Sequence, residues 1–138
     1  MSNTFLLDIL TPERHFFSGA VEALTFQASD GEWTILKDHE TMIAVLMPAV
    51  VKIKQDGVWR EAVNSEGYME VAPEGVVLFA QTCEWTEDVD LARAEEARLM
   101  AQELMRQSRS QAEFRNSQIM LARAMARLRI SQKRVNLD

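Results

Sequence analysis

Cysteine is nearly missing from this chain: Cys83 is the single one among 138 residues, which excludes an internal disulfide framework. It adjoins an apolar run with no acid–base pattern around it, so it reads as a small core residue, not a nucleophile. Histidine is almost as scarce, with only His15 and His39. Asp38-His39-Glu40 has the composition of an acid–base or metal cluster, but no second ligand pair is spaced to complete it, and it reads as an exposed polar turn. The 5 glycines read as members of separate turns, which leaves no glycine-rich loop to cradle a phosphate. The longest apolar run, Met42 to Val51, is too short to span a bilayer and contains Pro48. Met1 to Leu10 has no basic stretch ahead of its apolar residues, which argues against a secretory signal. No catalytic or metal constellation emerges, so the expectation is a non-catalytic protein, cytosolic or held at a membrane through a partner.

What is present divides at residues 84–94. Ahead of that stretch the chain reads as short strands and turns. Phe5 to Leu10 is a dense apolar run closed by Thr11-Pro12, and Val21 to Ala28 is closed by Ser29-Asp30-Gly31. Glu32 to Leu36, Thr41 to Leu46, Ala49 to Gln55, Tyr68 to Val71 and Val76 to Ala80 follow, with Pro48 between the second and third of these runs. Asp56-Gly57 is a strong two-residue hairpin signal, since both central positions need positive φ. Asn64 to Gly67 and Ala72 to Gly75 supply further turns. Short strands at this spacing predict an antiparallel sandwich or barrel, not a βαβ fold.

After Thr86 there is neither glycine nor proline, which fits helix. Thr86 and Asp88 are both able to cap a first helix, expected over about Asp88 to Gln107, and the carboxylates of Glu87, Asp88 and Asp90 suit its positive end. Ser108-Arg109-Ser110 breaks it. Ser110-Gln111-Ala112-Glu113 is a capping box that starts a second helix. Phe114, Leu121, Leu128 and Val135, with Met125, form one expected apolar stripe there. Val89, Ala92, Ala97, Ala101 and Leu104 form a weaker, alanine-rich one on the first helix. The expected boundaries are therefore residues 1–85 for the β part and 86–138 for an antiparallel helical hairpin with little apolar area to hold it in place.

The net charge of −6 conceals a split. Residues 1–105 hold 7 Lys/Arg against 19 Asp/Glu, a net −12, while residues 106–138 hold 8 against 2, a net +6. A basic helix on an acidic body suits an acidic partner, or its own body. Arg115, Arg123, Arg127, Arg129, Lys133 and Arg134 would be the phosphate contacts of an alternative nucleic-acid-binding module. The acidic body and the lack of interleaved aromatics argue against it.

Several segments carry a resemblance in order. They are Leu7 to Glu13, Phe17 to Glu22, Asp30-Gly31-Glu32, Gly67 to Val71, Asp90-Leu91-Ala92-Arg93-Ala94 with Glu84 before it, and Leu121 to Leu128. Together they are similar to the epsilon subunit of F-type ATP synthases over nearly the whole chain. The resemblance implies a sandwich of about ten strands followed by two helices. It implies a non-catalytic subunit of the rotating stalk, whose sandwich binds the gamma subunit and touches the membrane c-ring. Its helices would regulate ATP hydrolysis by reaching the catalytic alpha and beta subunits. It would sit on the cytoplasmic face of a bacterial membrane, without inserting into it and without nucleic acid. The contact residues implied are Thr11, Gly31, Glu32 and His39 for gamma and the ring, and Arg115, Arg123, Arg127 and Arg129 for an acidic partner. No cofactor is required. Weak regulatory ATP binding would use Glu84, Asp90, Arg93, Ala94, Arg123 and Arg127, the last two sharing a helix face at i, i+4. A further arginine of nucleotide-binding members falls on Met100, with Arg98 two positions away. The chain also departs from the family at Lys37 to Met42, where proline-glycine-histidine-alanine-proline-leucine is usual and only His39 matches. That loss predicts a different turn.

Overall fold

Strand-forming residues in short alternating runs produce ten strands in the computed structural model, which describes the backbone of residues 3–136 and the side chains of residues 3–130. The strands are β1 (Phe5–Leu10), β2 (His15–Val21), β3 (Ala23–Ala28), β4 (Gly31–Ile35), β5 (Met42–Leu46), β6 (Ala49–Gln55), β7 (Val58–Asn64), β8 (Gly67–Ala72), β9 (Gly75–Ala80) and β10 (Cys83–Trp85). A 3-10 turn over Thr86–Asp88 leads to α1 (Leu91–Gln107) and α2 (Gln111–Asn136). Cα packing separates two compact units, Met1–Trp85 and Thr86–Asp138.

In the first unit the strands pair in the order β10-β7-β6-β3-β5-β8-β9-β1-β2, with β4 also on β3. The path folds over at a single register pair, Ala28 with Leu46. This leaves one sheet of β2-β1-β9-β8-β5 facing another of β4-β3-β6-β7-β10, a sandwich. Leu7, Ile9, Leu24, Phe26, Leu46, Ile53, Met69 and Leu78 are buried between them. All pairs are antiparallel except β1 with β9, which run parallel. The open side between β2 and β10 is closed by side chains. Trp85 packs 4.7 Å from the Phe16 ring and 6.1 Å from that of Phe17, and the Arg60 guanidinium lies 3.5 Å over it. The Asp56-Gly57 hairpin is formed as read, with φ of 52° and 77°.

Two strands, β2 and β10, escaped the sequence reading, and β7 was read only as the far side of the Asp56-Gly57 hairpin. β2 has no clean alternation, and Gly19, taken for a turn residue, lies inside it. β7 opens with four exposed or half-buried positions, and β10 is only 3 residues long. The Lys37 to Met42 segment departs from the family's usual residues. Asp38 takes φ of 64°, the left-handed conformation that glycine adopts freely, so the missing glycine does not forbid that backbone.

In the second unit α1 starts later than expected. Asp90, not Thr86 or Asp88, is the cap: its carboxylate accepts the backbone N–H of Arg93 at 3.1 Å. Ser110 and Glu113 form the second start, with the Glu113 N–H donating to Ser110 Oγ at 3.1 Å and the Glu113 carboxylate accepting the Arg109 N–H at 2.7 Å.

The expected stripes are only partly the buried ones. Phe114 and Met125 are each 41% exposed, as is Leu104, and Ala92 is exposed. Leu121, Leu128 and Ala97 are half-buried, and the side chain of Val135 lies outside the described residues. The buried helix positions are Ala94 and Ala101 on α1 and Ser117, Ala124, Ala126 and Ile130 on α2, all small but the last. Ala101 and Ser117 lie eight residues either side of Arg109, and Ala94 and Ala124 fifteen, so the antiparallel hairpin sets them level. Small side chains let the two backbones approach closely and displace the larger residues to the flanks.

Candidate functional site

The outer face of the β2-β1-β9-β8-β5 sheet is the most chemically distinctive surface of the sandwich. Register puts Val45 beside Tyr68, Tyr68 beside Phe79, and Phe79 beside Leu10, one apolar row across four strands. One pleat away the row is Ile43, Glu70, Val77 and Asp8. These side chains point outward because their neighbours Ala44, Leu46, Met69, Val71, Leu78 and Ile9 point into the core. Ile43 is 74% exposed and Val45 63%. Tyr68 and Phe79 stack with ring centroids 5.0 Å apart. The strand positions of this face carry carboxylates, Asp8 and Glu70, and no lysine or arginine. An exposed apolar sheet face rimmed by one sign of charge is the form of a protein-docking surface.

The sequence reading did not single out this face. Its signal was present: Met42-Ile43-Ala44-Val45-Leu46 has no polar residue on either parity, so one of its two faces had to expose hydrophobic side chains.

A groove of about 270 Å³ opens at one end of the apolar row, bounded by Leu10 to Pro12, Glu66 to Tyr68 and Phe79 to Gln81. Gly67 at its floor must be glycine, since a Cβ there would meet the Phe79 carbonyl oxygen at 1.8 Å.

The residues expected to contact gamma and the ring do not form one patch. Thr11 lines this groove. Gly31 pairs with Ala28, which continues through Leu46 and Gly67 to Ala80 at the same end of the sheets, and Glu32 is the next residue of β4. His39 lies at the opposite end, in the turn before Met42, which pairs with Val71. The length of β5 separates the two ends by roughly 13 Å. His39 Nδ1 is 2.9 Å from the Glu40 carbonyl, and Asp38 and Glu40 are exposed. Among the described residues no group of His, Cys, Asp and Glu is arranged to hold a metal.

The residues of the implied nucleotide site are drawn from β10, α1 and α2. Glu84 is in β10, opposite Val63. Asp90 caps α1, Arg93 is exposed, and Ala94 is buried in the helix seam. Arg98, near Met100, is held by both oxygens of Glu95, with Nε to Oε2 at 3.0 Å, and donates to Gln102 at 3.2 Å. Met100 is 61% exposed.

Arg123 and Arg127 are half-buried, whereas Arg115 and Arg129 are exposed. At 100° per residue the four arginines fall within an arc of about 160° on α2, Arg115 and Arg129 toward one edge and Arg123 and Arg127 toward the other. Burial, then the adjacent charge of Arg127, pulls the Arg123 guanidinium below its ordinary pKa. Lys133 and Arg134 fall where side chains lie outside the described residues. Cys83 is buried in the core, where desolvation pushes its thiol up to about 12.

Comparisons with known proteins cover both units. Residues 4–86 match the model of the ATP synthase, Delta/Epsilon chain, beta-sandwich domain, and residues 87–132 that of the long alpha-helix domain of the same chain. An ATP synthase epsilon chain from Ruminiclostridium cellulolyticum is 40% identical over 131 residues, spanning 95% of this chain and 98% of the relative. One from Caldanaerobacter subterraneus is 40% identical over 134 residues, spanning 96% and 97%. Among solved structures, a chain of the Euglena gracilis mitochondrial ATP synthase (OSCP/F1/c-ring) shares the fold with a TM-score of 0.76 at 21% identity, over 91% of this chain and 80% of that one.

Proposed function

The chain belongs to the ATP synthase delta/epsilon family, as an epsilon-type subunit, and from that premise we propose how its two units divide the work of a non-catalytic stalk component. The sandwich seats on the gamma subunit through the outer face of the β2-β1-β9-β8-β5 sheet, and the complex reaches the c-ring on the cytoplasmic side of the membrane. The helical hairpin regulates ATP hydrolysis at the alpha and beta subunits. No helix among the described residues is long and apolar enough to cross a membrane, so attachment proceeds through partners.

The observation that carries the docking assignment is the unbroken apolar row Val45–Tyr68–Phe79–Leu10 on a sheet face whose charged strand positions, Asp8 and Glu70, are both acidic. Desolvating that row against a complementary surface supplies hydrophobic stabilisation, roughly 25 cal/mol per Å² of apolar area, without unpairing any strand. The regulatory assignment rests on the charge asymmetry, an overall +6 over residues 106–138.

The test is addition of the purified chain to an alpha–beta–gamma subcomplex from the same organism. The chain should co-elute with the subcomplex and slow its ATP hydrolysis. Val45→Lys places a charge in the apolar row at an exposed position, so it should abolish co-elution while the far-UV spectrum stays native. Changing Arg115, Arg123, Arg127 and Arg129 together to Ala should restore hydrolysis with the chain still bound. Equal inhibition by that variant would remove the regulatory role, and unimpaired co-elution of Val45→Lys would remove the docking face.

A further inference from the structure

We propose that the groove between the Leu10–Pro12 turn and the Tyr68–Phe79 stack is the anchor point of the docking face, receiving one large apolar side chain of the gamma subunit presented next to a lysine or arginine. The inference rests on the reading that this sheet face docks gamma, and it names the position and chemistry of the contact.

Size selects the occupant. The groove holds about 270 Å³, room for a single leucine, phenylalanine or tryptophan side chain and too little for a folded element. The walls select its polarity. Leu10, Pro12 and the stacked rings of Tyr68 and Phe79 are apolar, and backbone forms the floor, where Gly67 sits against the Phe79 carbonyl. The rings are held as a pair, 5.0 Å apart with 24° between their planes, so little side-chain freedom remains to be lost when a third group packs beside them.

Charge selects the neighbour. Glu66 is the acidic residue lining the groove, and the next charges on the same outer face are the carboxylates of Glu70 and Asp8. An incoming segment with acidic residues beside its anchor would be repelled from all three, while a basic residue beside the anchor meets Glu66 at the rim. The groove is also continuous with the apolar row, because Phe79 belongs to both. It is therefore a recessed point on the face proposed to dock gamma, where an anchor residue is well desolvated.

The experiment measures binding of the chain to the alpha–beta–gamma subcomplex by surface plasmon resonance at several salt concentrations. Val58→Ala on the far strand β7 serves as the control, being exposed and outside the face. Tyr68→Ala removes one wall, and Gln81→Trp fills the groove from its exposed rim without touching the core. Each should weaken binding about 30-fold or more, the effect of losing a central anchor. Glu66→Lys should slow association and flatten or reverse its salt dependence. If the wild-type chain fails to bind, the docking reading itself falls. If the wild-type binds and Tyr68→Ala and Gln81→Trp match the control, docking stands and the anchor groove is overturned. An unchanged salt dependence in Glu66→Lys overturns the basic neighbour. If the free chain dimerises in light scattering and Gln81→Trp dissociates that dimer, the groove belongs to a second copy and the assignment to gamma is overturned.

Discussion

At the residue scale, Cys83 shows how position decides chemistry. It is 5% exposed, and β10 pairs it with Asn64 of β7. Desolvation is the main cause of its raised pKa, the neighbouring Glu84 charge adds to it, and Arg14 works against it. Folding therefore favours the protonated thiol. That contribution to stability is complete below 9.0, the thiol's unfolded value, and is lost as pH rises toward about 12. The thermal midpoint of the native chain should fall more steeply between pH 9 and 11 than that of Cys83→Ala, which has nothing to ionise there. Parallel curves by differential scanning calorimetry would mean that the thiol does not sense burial. The sequence supported burial for Cys83, since apolar residues precede it, but the size of the effect comes from the two sheets that enclose it. Asp90 carries the same lesson. Its type suited a helix start, and only the chain geometry selected it over Thr86 and Asp88.

Elements were legible wherever local chemistry dominated. The Asp56-Gly57 turn, the Ser110–Glu113 box and the end of α1 at Gln107 all follow from groups within a few residues of one another. The faces of the helices did not follow so directly. Large apolar residues at seven-residue spacing suggested one seam, yet the buried residues that the hairpin sets level are the small Ala94, Ala101, Ser117 and Ala124. Two helices gain more dispersion contact by approaching on small residues than by standing apart on large ones, a choice that depends on both partners together. Ala101 is completely buried in that seam. Ala101→Leu should therefore overpack it and destabilise the hairpin by about 1–3 kcal/mol, seen as earlier loss of the 222 nm signal on heating. Leu104→Ala, at a 41% exposed position, should change that melting far less. Equal effects would place the seam on the larger residues after all.

For the whole molecule, the division at residues 85 and 86 makes a separate claim testable. The first unit contains every strand, the buried core and the Trp85 clamp formed with Phe16, Phe17 and Arg60. A chain ended after Thr86 should stay folded, with a cooperative thermal transition and dispersed amide resonances, because its core is complete without the helices. It should also retain binding to the gamma-containing subcomplex while losing inhibition of hydrolysis. A molten fragment would show that the sandwich needs the second unit, and retained inhibition would place regulation in the sandwich.

The amino-acid sequence alone determined the change from strand period to helix period, most of the strands, the turns and caps, and the charge contrast between body and terminal helix. Each of these is set by neighbours in the chain or by composition. Tertiary structure alone decided which face of β5, β8 and β9 remains uncovered, why the expected contact residues Thr11 and His39 lie at opposite ends of the sheets, and which small residues sit level between the helices. Strand order and register determine all three, and both arise from packing between segments distant in sequence. The row of Val45, Tyr68, Phe79 and Leu10 assembles from four strands spread over residues 5–80, and no local pattern in any one of them states that the four side chains meet.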